Sequence, residues 1–84
     1  MKRLTMKDGD GLHSVESVPD AIERLALYED LHEEMLSQYE RLTAELAAKR
    51  GAGKEKTARF REDLGNKLLY SQMISLFKTH GLDR

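Results

Sequence analysis

Four short stretches hold residue types that can do chemistry, and spacing decides what each can do. His32-Glu33-Glu34-Met35-Leu36 opens like the zinc-protease pattern HExxH. In that pattern two histidines one helical turn apart hold the metal and the glutamate is the base. Leu36 stands where the second histidine is required, so the metal pair is missing. Asp8-Gly9-Asp10-Gly11 invites a calcium reading. With Asp8, Asp10 and Gly11 at the third, fifth and sixth places of an EF-hand loop, the first place falls on Met6 and the twelfth on Ser17. Neither suits calcium. Glu29, Asp30, Glu33 and Glu34 supply carboxylates, but nothing around them predicts the burial that acid–base work needs. Gly53-Lys54-Glu55-Lys56-Thr57 approaches a phosphate loop, yet GxxxxGK(S/T) is not satisfied, because Glu55 follows Gly-Lys and no hydrophobic strand precedes it. A simpler anion site survives there. A Gly-rich turn feeding a helix start, with Lys54, Lys56, Thr57, Arg59 and Arg61 around it, offers free N–H groups and positive charge.

The elements that would position these residues are mostly helical. From Val18 to Lys49 the apolar residues Val18, Ile22, Leu25, Tyr28, Leu31, Met35, Tyr39, Leu42 and Leu46 recur at a mean spacing of 3.5. That is the seam of a long helix that packs against other helices. Ser17, Pro19 and Asp20 form its start signal: a cap, a residue with no N–H to leave unpaired, and an acid at the positive helix end. Residues 50–54 reverse the chain through two glycines. A second helix is predicted over 55–80, with Phe60, Leu64, Leu68, Leu69, Met73, Ile74 and Phe77 as its apolar positions. Gly65-Asn66 marks either a kink or the close approach of another helix. His80, Gly81 and Leu82 make a stop signal in which Leu82 folds back on Phe77. Residues 1–16 read as an arm or small β-hairpin, with Lys2–Met6 and Leu12–Val15 flanking the Asp-Gly turn.

Size and charge bound what such a chain can be. At 84 residues one domain is expected, too small for its core alone to supply much stability. The absence of cysteine excludes disulfides and thiolate metal sites, and His13, His32 and His80 are too scattered to pair on a metal. No cofactor or metal is therefore expected, and oligomerisation remains as the way to bury more surface. The net charge of −1 conceals segregation. Glu16–Glu45 holds nine acidic and two basic residues, a net of −7, whereas Lys49–Arg61 holds six basic and one acidic, a net of +5. The basic end of one helix is expected to meet acidic residues of another. No apolar run approaches a membrane span and the N-terminal residues do not form a signal peptide, so a cytoplasmic location and no membrane partner are expected. Slightly negative charge and the lack of helix-turn-helix spacing argue against nucleic acid as a partner.

Two blocks carry a resemblance. MKRLT followed by AIERLALYED, with its RLxxYED core, and KTARFREDLGNKLLYSQMISLFKTHGL, with its KT, FRE, NKL and terminal GL elements, cover over half of the chain. They resemble small, largely uncharacterised proteins of prophages and mobile elements in Gram-positive bacteria. The resemblance implies a phage-type accessory protein acting in the cytoplasm of a bacterial host. It would be a non-enzymatic binder of a host target, such as a defence protein. An alternative is a sponge for a small nucleotide signal, with the basic helix start holding phosphates and Phe60 or Tyr70 stacking on a base. A DNA-binding or structural phage protein is a further alternative.

The expected fold is therefore mainly all-α: a long antiparallel helical hairpin with a short N-terminal arm, assembling as a helical-bundle homo-oligomer. Two helices alone leave much apolar surface wet. Ile22, Leu25, Tyr28, Leu31, Met35, Tyr39, Leu42, Leu68, Ile74 and Phe77 are the expected oligomer contacts.

Overall fold

A computed structural model describes residues 1–83. Its elements in chain order are β1 (Thr5–Lys7), β2 (His13–Val15), α1 (Val18–Gly51) and α2 (Ala58–Thr79). They fall into two compact units, one covering Met1–Leu31 and the other beginning at His32. α1 starts in the first unit and ends in the second.

In the first unit β1 and β2 pair antiparallel, with Thr5 opposite Val15 and Lys7 opposite His13. The Asp8 carboxylate builds the turn by accepting from the N–H groups of Asp10 and Leu12, both at 2.9 Å, and the Asp8 N–H donates to the Leu12 carbonyl at 2.8 Å. This is the local side-chain-to-backbone bonding that makes aspartate a turn residue, and it commits Asp8 to structure. The helix start works as its sequence predicts: the Ser17 hydroxyl accepts from the Asp20 N–H at 3.3 Å. The Arg24 guanidinium donates to the Lys2 carbonyl and ties the arm to α1.

The second unit is an antiparallel helical hairpin. Its core is small: Met35, Leu42 and Leu46 from α1 and Phe60 from α2 are the buried apolar residues among those described. Burying four such side chains stabilises by roughly 6–12 kcal/mol before chain entropy is counted, a modest return for a chain of this length. Contacts along the hairpin keep a regular antiparallel order. Lys49 pairs with Asp63, the Lys67 ammonium lies 5.6 Å from the Tyr39 ring centre, and the His32 and Phe77 rings are 4.9 Å apart.

Both helices end in the same way. At α1 the Lys54 N–H donates to the Lys49 carbonyl and the Gly53 N–H to Arg50; at α2 the Leu82 N–H donates to Phe77 and the Gly81 N–H to Lys78. These paired bonds satisfy carbonyls that the helix leaves open, and they require left-handed backbone. Gly53 and Gly81 supply it, at φ +73° and +75°.

α2 departs from expectation at two points. It starts at Ala58 rather than 55, because Thr57 is the cap: its backbone is extended and its hydroxyl accepts from the Phe60 N–H at 3.2 Å. α2 also runs unbroken through Gly65 and Asn66, so the glycine does not end the helix. A Cβ built on Gly65 would meet nothing within 4 Å, so no part of the same chain approaches it closely either. A helical glycine costs about 1 kcal/mol relative to alanine, and nothing within the chain accounts for this one.

Candidate functional site

The seam read from α1 divides sharply. Met35 and Leu42, two of the expected oligomer contacts, are closed inside the chain at 1% exposure each, and Tyr39, Ile74 and Phe77 are half-buried in the same hairpin. Ile22, Leu25, Tyr28 and Leu31 remain 46–62% exposed, and no residue from Val18 to Leu31 is buried. On α2, Leu68, Leu69 and Leu76 are 54–59% exposed. The molecule thus presents two apolar surfaces, one on the first half of α1 and one on α2.

The two surfaces differ in their surroundings. On α1, exposed Glu23, Glu29 and Asp30 lie among the apolar positions. On α2, Lys67 is the only charged residue between Asp63 and Lys78, and its ammonium is directed at the Tyr39 ring.

The basic turn is organised largely for structure. The Thr57 hydroxyl donates to the Lys54 carbonyl at 3.0 Å and accepts from the Phe60 N–H, which commits it to the cap. Arg59 reaches the Asp63 carboxylate at 3.4 Å. Phe60 is buried and the Arg50 guanidinium lies 5.4 Å from its ring centre, so its face is taken and it is not free to stack on a base. Tyr70 is half-buried. Lys54, Lys56 and Arg61 are exposed and form no ion pair among the described residues.

Asp63 is the residue that sequence reading missed. It is buried, and it receives the Lys49 ammonium as well as Arg59. The hydrogen bond from Lys49 holds its carboxyl below the ordinary value of 3.8; burial opposes this, and the charges of Lys49, Arg59 and Arg41 add to it. The signal was its position. Phe60, Asp63, Leu64 and Lys67 share one face of α2, so a carboxylate there enters the hairpin interface, whereas Glu62 beside it faces outward. The Lys49–Asp63 pair joins the basic end of α1 to one carboxylate of α2 that lies outside the acidic stretch Glu16–Glu45.

Two clefts lie in the first unit. One of about 260 Å³ is lined by Lys2, Arg3, Leu4, Met6, Glu16, Ser17 and Asp20; the other, of about 270 Å³, by Leu4, Asp20, Glu23, Arg24 and Leu27. Each mixes cations with carboxylates and so selects no ligand charge. Among the described residues no group of three His, Asp or Glu side chains gathers as a metal site, and no helix is long and apolar enough to cross a membrane. No model of a known protein family, no curated protein and no solved structure matches this chain.

Proposed function

We propose that this chain is a non-enzymatic, phage-type accessory protein that self-associates and binds a protein of its bacterial host. The observation that carries the reading is the stripe Ile22, Leu25, Tyr28 and Leu31, at helical spacing on α1 and largely exposed. An apolar stripe with acidic neighbours suits one kind of occupant: an amphipathic helix whose apolar residues are flanked by lysine or arginine. Apolar burial would supply affinity, and charge complementarity would favour that partner over others. The phage setting rests on the resemblance of the RLxxYED and C-terminal blocks, and inhibition of a host defence is the role that setting supports.

Capture from a Gram-positive host lysate, compared between the wild type and a Leu25→Asp, Leu31→Asp double variant, tests the target-binding half. A host protein retained by the wild type and lost from a helical, folded variant is the expected result. Identical capture by both would remove the stripe from the reading.

A second reading draws on the exposed cations Lys54, Lys56 and Arg61: sequestration of a small nucleotide by its phosphates. With Phe60 buried, this site lacks one of its two expected stacking residues. Titration calorimetry with cyclic and linear nucleotides would favour this reading if heat appears and is lost in a Lys54→Ala, Lys56→Ala variant.

A further inference from the structure

We propose that the outer face of α2 is the self-association surface, and that a second copy of this chain packs its α2 there antiparallel across a two-fold axis. The inference rests on the self-associating half of the proposed function and assigns it a place. Glu62, Gly65, Leu69, Gln72 and Leu76 follow one another at steps of three, four, three and four, the seam of a two-helix contact, with Leu68 at its border. All six are exposed. They lie opposite Phe60, Asp63 and Ile74, which face α1, so the chain itself leaves this side uncovered. Solvated helix faces are ordinarily charged, yet this one carries no charge from Gly65 to Leu76 except Lys67 on the other side of the helix, over Tyr39.

Gly65 is the second observation. It is unfavourable in the middle of a helix, it takes ordinary helical backbone, and beyond its neighbours and the surrounding helix backbone nothing described lies within 4 Å of where its Cβ would be. A missing side chain at an exposed helical position is useful when another helix fills the space. In an antiparallel pair centred between Leu69 and Gln72, Leu76 of the second copy comes to lie over Gly65, large against small, and the relation repeats by symmetry. The same register brings Leu69 to Gln72 and sets the Glu62 carboxylate beside His80 of the second copy, on the same flank of both helices.

Sedimentation equilibrium on the full chain reads the outcome. The wild type is expected to be dimeric, and a Leu69→Glu, Leu76→Glu variant monomeric with its helical circular dichroism retained, because both leucines are exposed within the chain. Gly65→Gln, which has open space in the monomer, is expected to raise the dissociation constant at least about tenfold without lowering helix content. A mixture of Glu62→Cys and Thr79→Cys chains should form a disulfide-linked pair that neither chain forms alone; ready linking of like chains would overturn the antiparallel arrangement. If both α2 variants dimerise as tightly as the wild type, this face is not the contact, although self-association stands. If the wild type is monomeric at every concentration, both proposals of self-association fall.

Discussion

The two halves of α1 carry the same pattern and meet different fates. From Met35 to Leu46 the seam is buried or half-buried beneath α2; from Val18 to Leu31 its residues stay open to solvent. The spacing is continuous across the boundary, so helix propensity does not distinguish them. What differs is cover. α2 has 22 residues against 34 in α1, so it is too short to line the longer helix along its whole length. A seam at 3.5 spacing states that a helix needs a partner, and the length of the next helix states how much of that partner the chain supplies itself.

The largest test of this contrast is a cavity in the covered half. Leu42 is 1% exposed, so Leu42→Ala should cost about 2–5 kcal/mol, the transfer term plus the void left behind. Urea unfolding followed by circular dichroism measures it. In a protein whose core holds so few buried side chains this loss approaches global unfolding, and a midpoint near the wild type's would contradict the assigned core.

Next in size comes the ion pair that closes the covered half. Asp63→Ala leaves the Lys49 ammonium half-buried without its carboxylate, and the thermal midpoint should fall by several degrees. Protonation should mimic this. The carboxyl of Asp63 titrates below 3.8 in the folded chain, so its stabilising contribution is complete above the unfolded value and is lost as pH falls through the folded one. The stability gap between the wild type and Asp63→Asn should stay constant from neutral pH to about pH 5 and close progressively below 3.8. A gap that shrinks between pH 7 and 6 would assign the effect to another group.

A smaller effect is expected at the end of α1. Gly53→Ala forces a side chain into left-handed backbone at φ +73°, at a cost of about 1–2 kcal/mol. Gly65→Ala, at the same chemical change, should leave the isolated chain as stable or more so, because its backbone is helical and its surroundings are open. Chemical denaturation of both variants at concentrations where the chain is monomeric checks the pair. Equal losses at the two glycines would mean that Gly65 is constrained from within the chain.

Much of this was legible in the residues because local rules governed it. Ser17, Gly53 and Gly81 mark helix ends through backbone bonds that any chain must satisfy, and Asp8 with its glycines marks the hairpin turn. Sequence reading placed the start of α2 three residues early, because Glu55 and Lys56 are ordinary helix residues and only the bonding of Thr57 reveals it as the cap. Asp63 was not singled out because its neighbour Glu62 is chemically alike; only the angle between them on the helix sends one carboxylate inward. Phe60 read as a residue free to stack because its burial depends on packing against the end of α1, where Arg50 covers its ring. Spacing does not say which exposed leucines another molecule would cover; for α2 the proposal rests on the missing charge around them.

The smallest expected effect is the sharpest test of the comparison. Leu25 is 59% exposed, so Leu25→Ala should change stability by no more than about 0.5 kcal/mol, whereas Leu42→Ala on the same seam costs several-fold more. The measurement is again urea unfolding, at low and at high protein concentration. A small, concentration-independent effect means that the first half of α1 is open in the free protein and available to a partner. A loss that approaches that of Leu42→Ala and grows with concentration would mean that a second copy already covers this stripe. Self-association would then move from α2 to α1, and the host-binding surface would have to lie elsewhere.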